Sequence, residues 1–270
     1  MNGVMGLKKY LHCVVNDLKK AIFSYAFLLS ILVICVLCFS SIAYMDYGKG
    51  QEYSVFEVII NKQKFAYLGL DVMRILSIST YLTMFLPILS ALSFVSAFCS
   101  ERLTGNIRFQ ISRVGRFPYY AAKFTAAVVS GGFTILAGYV SYAIILCAFF
   151  PVGACSVTGI LKELCGVMLY GMVSVIPAFF FSAFIKNKYI VCCLPFILMH
   201  FYYTVLSRLY SYFIGKGNWE VCMIIPILYP NSVKYLDHDA LIATLYQICL
   251  SVLAFIGFIC IMNRRLDYGE

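Results

Sequence analysis

Segment 100–123 carries the densest set of side chains that could do chemistry, and none of that chemistry is hydrolytic. Ile107, Phe109 and Ile111 are large and apolar, and Arg108, Arg113 and Arg116 stand among them. A short helix built this way can dock its apolar side chains into a groove on a soluble partner, with the arginines paired to acids around the rim. Gly105 is expected to permit a sharp turn where a longer side chain would clash. Glu101 precedes that turn and Lys123 closes the segment, which suits a device that passes force from a soluble partner into its flanking elements.

Other reactive groups are sparse. His200 is read as a buried histidine bonded to a neighbouring helix, with a proton relay as the rarer role. Asp237, His238 and Asp239 are consecutive, so their side chains diverge on a helix start, and Asp239 is expected to cap that helix. There is no H-E-x-x-H zinc motif, no G-x-S-x-G elbow and no G-x-x-x-x-G-K-[ST] phosphate loop. If ATP drives this protein, another polypeptide hydrolyses it. Most of the 12 cysteines lie in apolar runs as small hydrophobes. Cys155 and Cys222 alone fall in expected outer loops, where a disulfide is one option.

The elements that hold these groups are set by charge spacing. Six charge-free runs cover 21–45, 75–100, 124–161, 164–185, 189–207 and 240–263. About 20 apolar residues cross a bilayer core of about 30 Å. Hydrophobic residues make up 62% of the chain and charged ones 12%, a balance that a soluble domain of this size could not cover. The reading is an all-α integral membrane protein, a single domain over 1–270. Its six spans are expected at about 21–43, 76–99, 124–149, 164–184, 189–208 and 240–262, with a kink at Pro87 in the second.

Orientation follows from basic residues, which accumulate in short cytoplasmic segments. With the N-terminus inside, inner segments hold 13 of the 21 Lys and Arg but four of the 12 Asp and Glu. The whole formal charge of +9 then lies on one face, both termini are cytoplasmic, and the charge is explained by topology and anionic lipid rather than nucleic acid. Residues 3–20 read as an interfacial amphipathic helix through Leu7, Leu11, Val14, Val15 and Leu18. The outer segment 44–74 is expected to hold a short surface helix. Ala126, Ser130, Gly131, Gly132 and Gly138 are small residues that permit close helix packing. Lys186, Asn187 and Lys188 form a tight inner turn, making spans four and five a hairpin. Residues 221–233, broken by Pro226 and Pro230, are too short to span and read as re-entrant, with Trp219 as an interface anchor.

Segment 100–123 resembles the loop between spans two and three in permease subunits of type-2 ATP-binding-cassette transporters. Such loops run as an acid, three residues, Gly, an amphipathic stretch, a basic residue and then a Lys entering span three. Here those positions are Glu101, Gly105, Ile107 to Ile111, Arg116 and Lys123. The proline often found before the basic turn is replaced by Val114 and Gly115, and Asn106 stands where Ser or Thr is usual. The six spans, inner termini, interfacial helix and apolar segment before span six extend the resemblance over nearly the whole chain. It implies two permease copies, identical or paralogous, with two cytoplasmic ATPase subunits that carry the ATP and Mg, and no cofactor or enzymatic site on this chain. It also implies an exporter in a bacterial plasma membrane, with a path lined by spans one, two and five. An ion-coupled secondary transporter using His200, and a non-transporting immunity or assembly protein, remain the alternative readings.

Overall fold

The computed structural model describes residues 2–46, 51–61, 63–64, 80–149, 157–229 and 238–267. Among these, the chain forms helices joined by short breaks, plus one antiparallel hairpin. Helix α1 (Asn2–Ile22) turns at Phe23 and Ser24 into α2 (Tyr25–Ser40), with a bend of 56°. Ser24 makes that turn possible: its hydroxyl accepts the Phe27 N–H at 3.1 Å, capping α2. The first apolar helix ends at Ser40 rather than at residue 43, because Ser41 is extended and its hydroxyl takes the Cys38 carbonyl at 2.7 Å.

From there β1 (Ile42–Asp46) pairs with β2 (Gln51–Ser54), Tyr44 opposite Tyr53, with a register irregularity between Ile42 and Tyr44. This hairpin was not expected. The surface helix of the same segment is α3 (Val55–Ile60), opened by a capping box: Glu57 N–H donates to the Ser54 hydroxyl and Ser54 N–H to the Glu57 carboxylate.

The second apolar run is broken too. Helix α4 (Thr80–Leu92) and α5 (Val95–Leu103) meet at 46° around Ser93 and Phe94, not at Pro87, which sits inside α4. Serine hydroxyls explain the position. Ser90 donates to the Pro87 carbonyl at 2.9 Å, Ser93 to the Ser90 carbonyl at 3.2 Å and Ser96 to the Leu92 carbonyl at 2.7 Å. Side chains that compete for ladder carbonyls bend helices.

After α6 (Asn106–Val114), α7 (Arg116–Phe149) is the axis of the fold. Its 34 residues reach about 51 Å, well beyond a hydrocarbon core, and it starts eight residues before the expected span. Helices α1, α2, α4 and α8 (Val157–Ser174) pack along it. Small residues set these contacts: a Cβ at Gly138 would lie 2.7 Å from Ile34 of α2, and one at Gly171 would lie 2.9 Å from the Gly131 carbonyl. Helix α9 (Ile176–Phe181) follows α8 after a break at Val175, and α10 (Lys188–Gly215) returns from Asn187, which caps it through the Tyr189 N–H at 3.0 Å. Helix α10 continues seven residues past the expected end of span five.

Helix α11 (Trp219–Leu228) covers the first part of the expected re-entrant segment, and α12 (His238–Asp267) is the last element. Because α12 begins at His238, Asp239 falls inside its first turn and not at the cap. Asp237, Cys155 (hence a Cys155–Cys222 bridge) and segments 65–79 and 230–237 lie outside the described residues; the Cys222 thiol is free.

Two buried clusters divide the interior along α7. One surrounds its N-terminal half with Phe94, Phe98, Ile107, Tyr119, Tyr120, Phe179 and Phe258. The other surrounds its C-terminal half with Ile34, Val58, Leu86, Ile135, Tyr142 and Tyr170. Among the described residues, four runs are long and apolar enough to cross a membrane: Arg116–Phe149, Leu161–Phe181, Lys188–Gly215 and Ile242–Arg264. Each of the two bent pairs, α1 with α2 and α4 with α5, makes a further span if it crosses as one unit, for a total of up to six. The chain is an all-α architecture with a small hairpin, of the kind that a bilayer demands.

Candidate functional site

Lys123 is the group around which this end of the molecule is organised. It lies in the second turn of α7 and its side chain is 3% exposed. Its ammonium donates to Asp17 Oδ1 of α1 at 2.9 Å and to Glu101 Oε2 of α5 at 2.6 Å. The Phe94 and Tyr119 rings flank it, with centroids at 5.7 and 5.5 Å. Lys20 closes the set from the surface, its Nζ 3.7 Å from Glu101 Oε1. Two cations and two anions therefore balance, which is the condition for keeping such groups out of water. Burial holds the Asp17 carboxyl above its ordinary range; the Lys123 ammonium works against that rise.

Three elements that are remote in sequence meet at this one ammonium. A second tie joins α1 to α7, between the Tyr10 and Thr125 hydroxyls at 2.8 Å. Arg102, next to Glu101, donates to the Ala183 carbonyl beyond α9 at 3.4 Å. Helix α6 sits directly on this cluster. Its N-terminal turn is set by Gly105, whose φ of +73° is left-handed. The expected steric reason does not hold: a Cβ at Gly105 would meet nothing within 4 Å, so backbone conformation alone demands glycine there.

The nine residues singled out from sequence separate into two sets. Glu101 and Lys123 turn inward as ion partners, and Ile107, which was expected to dock into a partner's groove, is buried in the core. Ile111 is half-buried against the same core. Arg108, Phe109, Arg113 and Arg116 are exposed, Phe109 by 72%, and the nearby Phe117 by 63%. The physical cause is the short helix itself. At about 100° per residue, Ile107 and Ile111 share one face while Phe109 points away from it.

Asp17 was missed as a site residue. The signal was present: Val14, Asp17, Leu18 and Ala21 fall on one helical face, and an acid within an apolar stripe calls for a buried cation. His200 differs from expectation as well. It is exposed on α10 and its ring lies parallel to Phe196 with centroids 6.4 Å apart.

What the site can do is mechanical. A rigid ionic clamp joins α1, α5 and α7, and an amphipathic helix with an outward aromatic and basic face is seated on it. No protein-family model matches the chain, and no curated protein is significantly similar to it.

Proposed function

We propose that the chain is the membrane-spanning permease subunit of an ATP-driven exporter, of the type-2 ATP-binding-cassette kind. In this reading it crosses the bacterial plasma membrane six times with cytoplasmic termini, α11 is the re-entrant segment, and two permease copies enclose the path. The cytoplasmic ATPase subunits bring the ATP and Mg.

One observation carries the reading: α6 presents Phe109 and Arg113 outward, and Arg116 is exposed at the start of α7, while the opposite face of α6 is fixed in the core beside a buried ion clamp. A docking helix that must transmit force needs both properties. Force applied at Phe109 reaches α5 and α7 through Gly105 and Lys123, and α1 through Asp17. Any movement of α6 thus becomes movement of three membrane-associated helices.

The test is expression with the neighbouring genes, purification in mild detergent and identification of co-eluting chains. A stoichiometric soluble protein with a phosphate-binding loop is the expected result, and Phe109→Glu combined with Arg113→Glu should release it without lowering the melting temperature of the permease. Isolation of the chain alone under those conditions overturns the proposal.

A further inference from the structure

A cavity of about 360 Å³ opens between α9, α10 and α12, where the C-terminal end of the Leu161–Phe181 run meets the middle of Lys188–Gly215 and the first half of Ile242–Arg264. Its size falls at the lower end of the range of ligand pockets, about 300–1,000 Å³. Ile176 and Phe180 wall it on one side, and Phe201 and Leu250 stand at its rim, both exposed on the outer surface of the helix bundle. Among the described residues that line it, none carries a carboxylate, ammonium, guanidinium or imidazole group.

One polar group in that wall is unexplained. Gln247 of α12 is 4% exposed, and its Nε2 has no hydrogen-bond partner. The other donors nearby are already used. Ser251 gives its hydroxyl to the Gln247 carbonyl at 2.6 Å, and the Tyr202 hydroxyl reaches the Leu228 carbonyl at 3.2 Å. A buried amide N–H without a partner is destabilising, so it calls for an acceptor. Gln247 lines the cavity, and the last torsion of a glutamine is broad enough for its amide to turn to an acceptor there.

We propose that this cavity is a binding site for one bilayer lipid, with an acyl chain inserted between α10 and α12 and its ester carbonyl accepting from Gln247 Nε2. The rim faces the lipid side of the apolar helices, so membrane lipid is the molecule that reaches it. The absence of charged side chains excludes a headgroup phosphate from the interior, and the single open donor selects an uncharged acceptor on an otherwise apolar chain. The assignment does not rest on the exporter reading; it needs only that these helices lie in a bilayer.

The test uses the full chain in phosphatidylglycerol vesicles carrying a trace of ester-linked diacyl lipid with a diazirine on one acyl chain. After photolysis, labelled peptides are mapped by mass spectrometry. The label should concentrate on 173–181, 198–202 and 247–254, and rise toward one lipid per chain as the probe replaces the bulk lipid. It should fall about five-fold in Gln247→Leu, the loss expected of one hydrogen bond, and by a similar factor for an ether-linked analogue on the wild type. Ala254→Phe, which fills the cavity, should abolish it. Both variants are checked for unchanged helicity. Uniform labelling of all bilayer-facing helices, equal labelling in both variants, or cross-links from the rim to a second copy of the chain would each overturn the assignment.

Discussion

Lys123 donates a 2.9 Å hydrogen bond to Asp17, 106 residues away in the chain and almost wholly buried. Through it the N-terminal helix is bonded to the axis of the fold, and Glu101 receives the same ammonium from the other side. The consequence is that one cation holds α1, α5 and α7 in register.

Removing that cation should be costly. Lys123→Met leaves Asp17 buried without its counter-charge and Glu101 with the exposed Lys20 alone, and breaking a buried pair from one side costs about 3–5 kcal/mol. The melting temperature in detergent should fall sharply. The triple change Lys123→Met, Asp17→Asn, Glu101→Gln should recover most of the loss. A triple variant no more stable than Lys123→Met would show that the charges are not what matters there.

Asp17 also sets a pH dependence with a definite sign. Its folded carboxyl binds a proton more tightly than the unfolded one, because burial raises it. Its contribution is therefore fully present below the ordinary carboxylate value of about 3.9 and is lost as pH rises through the raised folded value. Melting curves of wild type and Asp17→Asn across that window should show the wild type losing ground as pH increases. The opposite drift would mean that the Lys123 attraction outweighs burial.

Gly138 and Gly171 should respond differently to alanine. At Gly138 the obstacle is the Ile34 side chain at 2.7 Å, so Gly138→Ala should cost about 1–3 kcal/mol and be relieved by Ile34→Ala. At Gly171 the obstacle is backbone, the Gly131 carbonyl at 2.9 Å, and no side-chain change opposite can relieve it. A double-mutant cycle in detergent distinguishes the two; equal rescue at both sites would contradict the geometry.

Gly105 tests conformation against sterics. With φ at +73° and open space around it, Gly105→Ala should lose about 1 kcal/mol and Gly105→Asn less, since asparagine tolerates the left-handed region. Thermal melts of the three proteins should rank glycine, asparagine, alanine.

Two large apolar residues of the same helix should behave oppositely. Ile107→Asp places a charge in the core beside Phe98 and should unfold this end of the molecule. Phe109→Asp changes an exposed side chain and should leave the melting curve within about 0.5 kcal/mol of wild type. Similar losses at both positions, read by calorimetry, would mean that α6 is not seated as described.

The sequence by itself determined where the chain is apolar enough for a bilayer. Charge spacing needs no tertiary information, because each helix in lipid must satisfy its own backbone. It also marked segment 100–123 as the place where charge and aromatic side chains converge, and the glycines of 131–138 as contact points. The tertiary structure decided which way each of those residues faces. Glu101 and Lys123 mark the two ends of that segment, and nothing in their spacing shows that they bond to each other. The arrival of Asp17 from the far end of the chain adds a second carboxylate to that of Glu101, and together they let Lys123 be buried. The bends at 23–24 and 93–94 and the hairpin at 42–54 were likewise set by serine hydroxyls competing for particular carbonyls and by strand pairing. Hydrophobic periodicity records neither. The orphan amide of Gln247 belongs to the same class: one glutamine in an apolar run is unremarkable until the helices around it leave a cavity.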